Sequence, residues 1–399
     1  MRLVITGLGY FSKIGNTKEK LDEALNDTVI VPEEYSKISD EKLKSKCAYE
    51  IEGHMDPADF LENRKLKRLA KFSQTLCCVA KAAIEDSGIR DENHPIADER
   101  FGTIVTTTHG PLQVTFDYLT DLINEGPAFA RPFLFQQTVN NVACGQVAIE
   151  NKLKGVSSTI VGASSVQYAI SLLRKGVADA VMVAGQEELH PYIYTSYEKK
   201  GLLSTDEGKG EKSIPFAKEA NGLVLGEGAG AIVLETYDNA VKRNAHIYAE
   251  VIDEAVVTDE QYINSYDEFD ADKSTGLVRA MNGVLTKSGV DEKDIGFISL
   301  AANSYKKFDD MEKAAVKKVF EGRDDLGYLA TKAIFGETIG ASELLAIIPA
   351  LRCMEHKKVY GLQYCGADNH ATDNTEYCLV NSVFPGGNIN SLLLKNINK

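Results

Sequence analysis

From Gly155 to Glu188 the chain reads GVSSTIVGASSVQYAISLLRKGVADAVMVAGQEE, and the side chains in it that could attack an acyl carbon are those of Ser164 and Ser165. The β-branched run Thr159, Ile160, Val161 suits a buried strand, GASS at 162–165 is compact enough for a sharp turn, and residues 168–175 have helical composition. Gly176 stops that helix. A side chain on such a turn sits at the helix N-terminus, where backbone N–H groups and the macrodipole favour developing negative charge. Enzymes of several classes place a nucleophile there. The stretch contains no cysteine and no histidine.

At 399 residues, with 44% hydrophobic residues, the chain has room for two α/β halves or one large domain around a sizeable core. A net charge of -14 disfavours nucleic acid or an anionic membrane as partner, although acidity is also a common solubility device. No apolar run reaches eighteen residues, and RLVITGLGYF enters a strand at once, so a cytoplasmic protein without signal peptide is expected. The seven cysteines, including the adjacent Cys77 and Cys78, form neither a CxxC metal pattern nor a disulfide framework. Reduced core thiols are expected, with no metal and no cofactor.

Strand-like segments recur at 3–7, 102–107, 158–163, 180–185 and 230–235, and again at 247–252, 295–301, 327–331, 376–383 and 391–395. Helical patterns at 65–87, 114–124, 276–288, 309–320 and 341–353 alternate with them. Five strands followed by five more predict a duplicated α/β unit, with halves 1–238 and 239–399 and a seam near 236–242. Residues 18–63 read as a charged surface excursion, and 267–272 as a solvated acidic loop.

Several stretches together resemble the β-ketoacyl synthases of the thiolase superfamily: VITGLG, NNVACGQVAIENKLKG, RKGVADAVMVAG, PFAKEANGLVLGEGAGAIVLE and NSVFPGGNINSLLLK, spread in family order from residue 3 to 395. GEGAG at 226–230 is no phosphate loop, since it lacks a following Lys-Ser/Thr and precedes a strand. The resemblance implies the duplicated five-layered αβαβα thiolase fold.

Synthases of this family use a cysteine on the strand-to-helix turn, two histidines for decarboxylation of malonyl-carrier protein, and a backbone oxyanion hole. Counting forward from Gly155 puts the nucleophile position at Ser164; counting back from Gly176 puts it at Thr159. Ser164 is preferred, because Thr159 would leave three residues of strand after Gly155. In either register the thiol is gone, and a serine there needs a base. The first histidine maps to Ala301 in SLAANSYKKFDDMEKAAVKK, with Asp309 and Glu312 keeping the downstream Asp-x-x-Glu. The second maps to Glu337 in KAIFGETIGA, where Lys332, Gly336, Thr338 and Gly340 keep the frame. The oxyanion phenylalanine maps to Pro385, which has no N–H to give. Losing one such donor costs on the order of 100-fold to 1000-fold in rate. Cys144 in VACGQVAI imitates a nucleophile motif but matches the preceding helix, and His109 in TTTHGP comes too early for the catalytic histidine.

A branch of the family with these losses exists, the chain length factors of type II polyketide synthases. The resemblance then implies a heterodimer with an active ketosynthase, which elongates the polyketide while this subunit shapes the tunnel. Acyl carrier protein would dock mainly on the ketosynthase, given this chain's acidity. Leu112, Thr115 and Leu119 share one helix face and match the branch's aromatic-Thr-aromatic gate in spacing; Leu134 matches the residue that crosses into the partner's pocket. Such a stripe is more often plain core, and the surrounding match turns the reading toward a gate. Two rival readings are an active acyl-transfer or malonyl-decarboxylating enzyme using Ser164, and a homodimeric acyl-binding protein.

Overall fold

In the strand Ala180–Glu187, Val181 and Val183 enter one apolar cluster while Ala180, Met182 and Ala184 enter another. That alternation is what a period of two gives a strand covered on both faces. The structure is a computed structural model that describes all residues except 28–29, 39–41, 52, 55, 63, 65–66, 92–95, 261–274 and 399.

Ten strands form one mixed sheet: β1 (Leu3–Phe11), β2 (Phe101–Thr107), β3 (Ser157–Val161), β4 (Ala180–Glu187), β5 (Gly228–Thr236), β6 (Ala249–Thr258), β7 (Ile295–Ser299), β8 (Gly327–Leu329), β9 (Tyr377–Phe384) and β10 (Asn388–Lys395). Their order is β8-β7-β9-β10-β6-β1-β5-β4-β2-β3. Read outward from the centre, β1-β5-β4-β2-β3 and β6-β10-β9-β7-β8 repeat the same order, and both repeat the senses antiparallel, antiparallel, parallel, parallel. The two runs join where residues 3–5 of β1 pair with 249–251 of β6. A separate ribbon pairs Glu33–Glu34 with Cys47–Ala48.

The helices are α1 (Lys18–Asp27), α2 (Lys71–Ser87), α3 (Leu112–Glu125), α4 (Pro132–Gln136), α5 (Val142–Glu150), α6 (Ser165–Arg174), α7 (Pro191–Lys199), α8 (Tyr237–Lys242), α9 (Gly276–Ser288), α10 (Lys306–Val319), α11 (Lys332–Phe335) and α12 (Ser342–His356). The central cluster holds α6, α12 and side chains from both runs of strands. A second cluster packs α2 and α5 on the outer face of the first run, and a third packs α9 and α10 on the outer face of the second. Layers of helix, sheet, helix, sheet and helix result, the thiolase-like arrangement expected from the sequence.

Two expectations change. The stretch 18–63 is not simply a surface excursion: α1 buries Leu21 and Leu25 in the central cluster, and Tyr35 and Tyr49 are fully buried. In α1 the sparse apolar residues Leu21, Ala24 and Leu25 are buried among exposed charges such as Glu23, so composition alone hides the burial. The hairpin of β9 and β10 runs 377–384 and 388–395, longer in its second arm than the apolar segment 391–395, because polar Asn388 and Asn390 continue the strand. The acidic loop 267–272 lies outside the described residues.

Candidate functional site

β3 ends at Val161, and the chain turns through Gly162 at φ +63° into α6. Gly162 N–H donates to the Thr107 carbonyl at 3.1 Å, and Thr106 Oγ1 donates to the Ala163 carbonyl at 2.9 Å, pinning the turn to the end of β2. Ser164 is the N-cap of α6, accepting from Gln167 N–H at 3.0 Å. Thr159 lies inside β3, so of the two candidate registers only Ser164 occupies the strand-to-helix turn.

Ser164 Oγ also donates to Glu254 Oε1 at 2.9 Å, and Asn390 Nδ2 donates to Glu254 Oε1 at 2.7 Å and to Glu343 Oε1 at 2.8 Å. All four side chains are buried. Burial, and for Glu254 also the neighbouring Glu343, pushes both carboxyls upward from the ordinary glutamate range. Glu254 comes from β6, where Leu393 pairs with Asp253 but Leu394 with Val251, a bulge that turns an acidic side chain inward. Asn390 lies on β10 two residues before Leu392, a member of the central cluster.

The neighbouring residue Ser342 turns to a second cluster. Its Oγ donates to Glu337 Oε1 at 2.8 Å, where Ile339 N–H also donates at 3.0 Å, while Glu337 Oε2 takes Lys332 Nζ at 2.7 Å and Asn303 Nδ2 at 2.9 Å. Burial raises the Glu337 carboxyl, but the Lys332 ammonium and these hydrogen bonds outweigh it and hold the group below its ordinary value. Lys332 Nζ donates as well to the Ala301 carbonyl at 2.8 Å. The loop after β7 is clamped by Glu312, which accepts from Ala301 and Ala302 N–H at 3.1 and 2.6 Å, and by Asp309, which accepts from Asn303 and Ser304 N–H at 2.9 and 3.1 Å. The Asp-x-x-Glu pair seen in the sequence therefore shapes the loop that carries Ala301.

Pro385 follows β9, and its carbonyl oxygen would lie 3.4 Å from a Cβ placed on Gly162, which sets it beside the Ser164 turn. The Ser164 cluster and the cluster of Glu337, Lys332 and Ala301 thus meet at the consecutive residues Glu343 and Ser342, with Pro385 beside the Ser164 turn. No thiol or imidazole stands at any of them. Cys144 lies in α5, buried, 3.3 Å from Ser157 Oγ, with burial pushing its thiol upward, so it is poorly disposed to ionise. His109 follows β2; its N–H donates to Glu187 Oε1 at 2.9 Å and its Nδ1 lies 3.4 Å from the same oxygen. Gly340 N–H reaches Glu187 Oε2 at 3.1 Å, and a Cβ on Gly340 would meet that oxygen at 2.5 Å, so only glycine permits this approach.

Leu112, Thr115 and Leu119 lie along α3, the first two half-buried and Leu119 43% exposed; Leu134 is half-buried on α4. Thr115 Oγ1 donates to the Pro111 carbonyl at 2.8 Å, and Tyr118 meets Phe135 at 5.6 Å between ring centres. Eight of the fourteen exposed large apolar side chains among the described residues fall between 119 and 161, which concentrates exposed apolar surface around α3, α4 and β3.

Glu254, Glu343 and Asn390 did not stand out in the sequence. An available signal was the acidic pair Asp253-Glu254 interrupting an apolar strand, which only a bulge reconciles with a core. Among the described residues no group of three or more His, Cys, Asp or Glu is placed to hold a metal ion, and no helix is long and apolar enough to cross a membrane.

The sequence matches the β-ketoacyl synthase N-terminal domain over residues 1–240 and the C-terminal domain over 248–363. It is similar to 3-oxoacyl-(acyl-carrier-protein) synthase 2 of Staphylococcus aureus (strain MRSA252), with 28% identity over 99% of this chain and 98% of that protein. Among solved structures it is similar to the ishigamide ketosynthase/chain length factor, with a TM-score of 0.87 and 24% identity over 100% of this chain and 99% of the other. It is also similar to a chain of AntDE:AntF, a type II PKS acyl-carrier protein in complex with its ketosynthase, with a TM-score of 0.85 and 21% identity over 99% of both chains. At those identities the structural likeness establishes the fold.

Proposed function

Because the chain belongs to the β-ketoacyl synthase family, we propose that it is a catalytically degenerate member, a chain length factor that assembles with an active ketosynthase and shapes the polyketide tunnel. The observation that carries this reading is the fate of the Ser164 turn and its surroundings. The Ser164 hydroxyl caps α6 and donates to a buried carboxyl, and Glu337 is tied up in an ion pair with Lys332. A working condensing site needs a free nucleophile and proton carriers aimed at the substrate. Here the Ser164 hydroxyl and the Glu337 carboxylate are committed to neighbouring protein groups instead.

The same reading explains the exposed apolar surface. β3 is five residues long, carries no charge and ends the sheet, and an edge left so open is a ready template for another chain. The partner proposed is an active ketosynthase, with acyl carrier protein bound mainly through that subunit and the growing chain in the shared tunnel. Leu112, Thr115, Leu119 and Leu134 are its proposed walls. The two halves proposed to carry this architecture are 1–238 and 239–399, divided at α8.

One observation favours acyl transfer or malonyl decarboxylation through Ser164 instead: Glu254 stands 2.9 Å from its hydroxyl, where a base is needed. Burial and the neighbouring Glu343 raise this carboxyl and so favour its acid form, in which it has no capacity to take that proton. Purified chain incubated with malonyl-carrier protein decides between the two. No turnover is expected; turnover abolished by Ser164→Ala would establish the rival. Co-expression with a ketosynthase should give one soluble heterodimer, which Val161→Asp abolishes and Val241→Asp, a control on α8, leaves intact. A stable homodimer made alone would favour an acyl-binding protein. In the assembled synthase, Leu112→Trp or Leu119→Trp should shorten the product, and unchanged length would refute the gate.

A further inference from the structure

Glu254 and Glu343 are buried acids from different elements, β6 and α12, joined by one Asn390 amide that donates to an oxygen of each. The second oxygen of each carboxyl, Oε2, has no hydrogen-bond partner among the described residues. Buried carboxylate oxygens are almost never left so, because each loses its hydration without compensation. We infer that Glu254 and Glu343 form one buried proton-binding site, bridged by Asn390 and Ser164, that ties the N-terminus of α6 to the second half of the chain.

The surroundings account for charge as follows. Among the described residues the side-chain hydrogen bonds to the two carboxyls come from Ser164 and Asn390, both neutral. On β6 the adjacent Asp253 is a further acid, and its Oδ1 is taken by Arg174 Nη1 at 2.9 Å and Lys287 Nζ at 2.8 Å. On α12 the neighbouring Ser342 faces Glu337. On β10 Asn390 is neutral. On α6 the Ser164 hydroxyl and the backbone N–H groups of Ser165 and Val166 favour negative charge on the pair. A helix N-terminus carries about half a positive charge, which offsets part of one carboxylate and cannot offset two. Two neighbouring carboxyls without a cation cannot both ionise, so one keeps its proton. That proton gives one orphan oxygen an O–H to donate. The ligand is a proton from solvent, bound on folding and released on unfolding, when both acids regain ordinary affinity.

This inference is independent of whether the chain condenses anything. Glu188, Glu211 and Glu312 are also raised by burial, but they are common to wild type and variants and cancel in the comparison. The test is the pH dependence of stability of the full chain between about pH 5 and 9, for wild type, Glu343→Gln and Glu254→Gln. Wild type is expected to lose stability with rising pH more steeply than either variant, by up to about tenfold in the unfolding constant per pH unit, the slope of one proton. Equal slopes in all three proteins would overturn the inference. So would a melting temperature raised by added Na⁺, K⁺ or Ca²⁺ in wild type but not in the variants, since a metal ion would then fill the site. If a glutamine variant fails to fold, Asn390→Asp replaces it. A third acid in one proton site should destabilise increasingly as pH rises, and a loss independent of pH would count against the site.

Discussion

Glu337 and Glu343 are buried near the start of α12, six residues apart, and they settle their charge differently. Glu337 is a carboxylate held by Lys332 and three neutral donors; Glu343 faces another acid, Glu254, across Asn390. The first site depends on keeping a charge and the second on keeping a proton. Two buried carboxyls a few residues apart can therefore be accommodated by different means, depending on which groups the fold brings to each. The cost of removing a partner differs between the two, because an ammonium left alone in the core has no inexpensive neutral form at pH 7, whereas a carboxyl has one.

The comparison breaks first at Glu337. Glu337→Ala strands Lys332 and should cost about 3–5 kcal/mol in urea denaturation at neutral pH. Glu343→Ala should cost less, because the Glu254 left behind has a neutral form to adopt; an equal or larger loss would erase the distinction. The two sites also predict opposite pH limbs. The Glu337 carboxyl lies below its ordinary value of 4.5, so its contribution is complete above that value and is lost as pH falls through the depressed one. Glu343 is raised to about 7, so its contribution is complete below 4.5 and is lost as pH rises through about 7. Glu337→Gln should flatten the acid limb and Glu343→Gln the alkaline one, measured by thermal melts across pH. A smaller effect belongs to the cap they share a neighbourhood with: Ser164→Ala should cost about 1 kcal/mol by chemical denaturation. Smallest is Cys144→Ala, expected to change stability by no more than about 1 kcal/mol in the same denaturation measurement.

Much of the architecture was legible because strands of period two and helices of period 3.6 are local patterns. The alternation of apolar segments gave ten strands and their division into two sets of five, and the compact GASS turn put Ser164 at the start of a helix. The burial in residues 18–63 was not legible, since Tyr35 and Tyr49 lie among charges, and the Tyr35 hydroxyl donates to the Leu189 carbonyl and the Tyr49 N–H to the Leu225 carbonyl, both far along the chain. Nor was the acid pair, because Glu254 and Glu343 are 89 residues apart and nothing local to either predicts the other.

By itself, then, the sequence determined which segments must be strand or helix and which residue stands at the turn between β3 and α6, since both follow from residue identity and short-range spacing. Only the tertiary structure decided what the remaining polar groups do. Whether a glutamate carries a charge, shares a proton or meets water depends on which distant groups the fold brings within about 3 Å and on how much solvent it excludes around them.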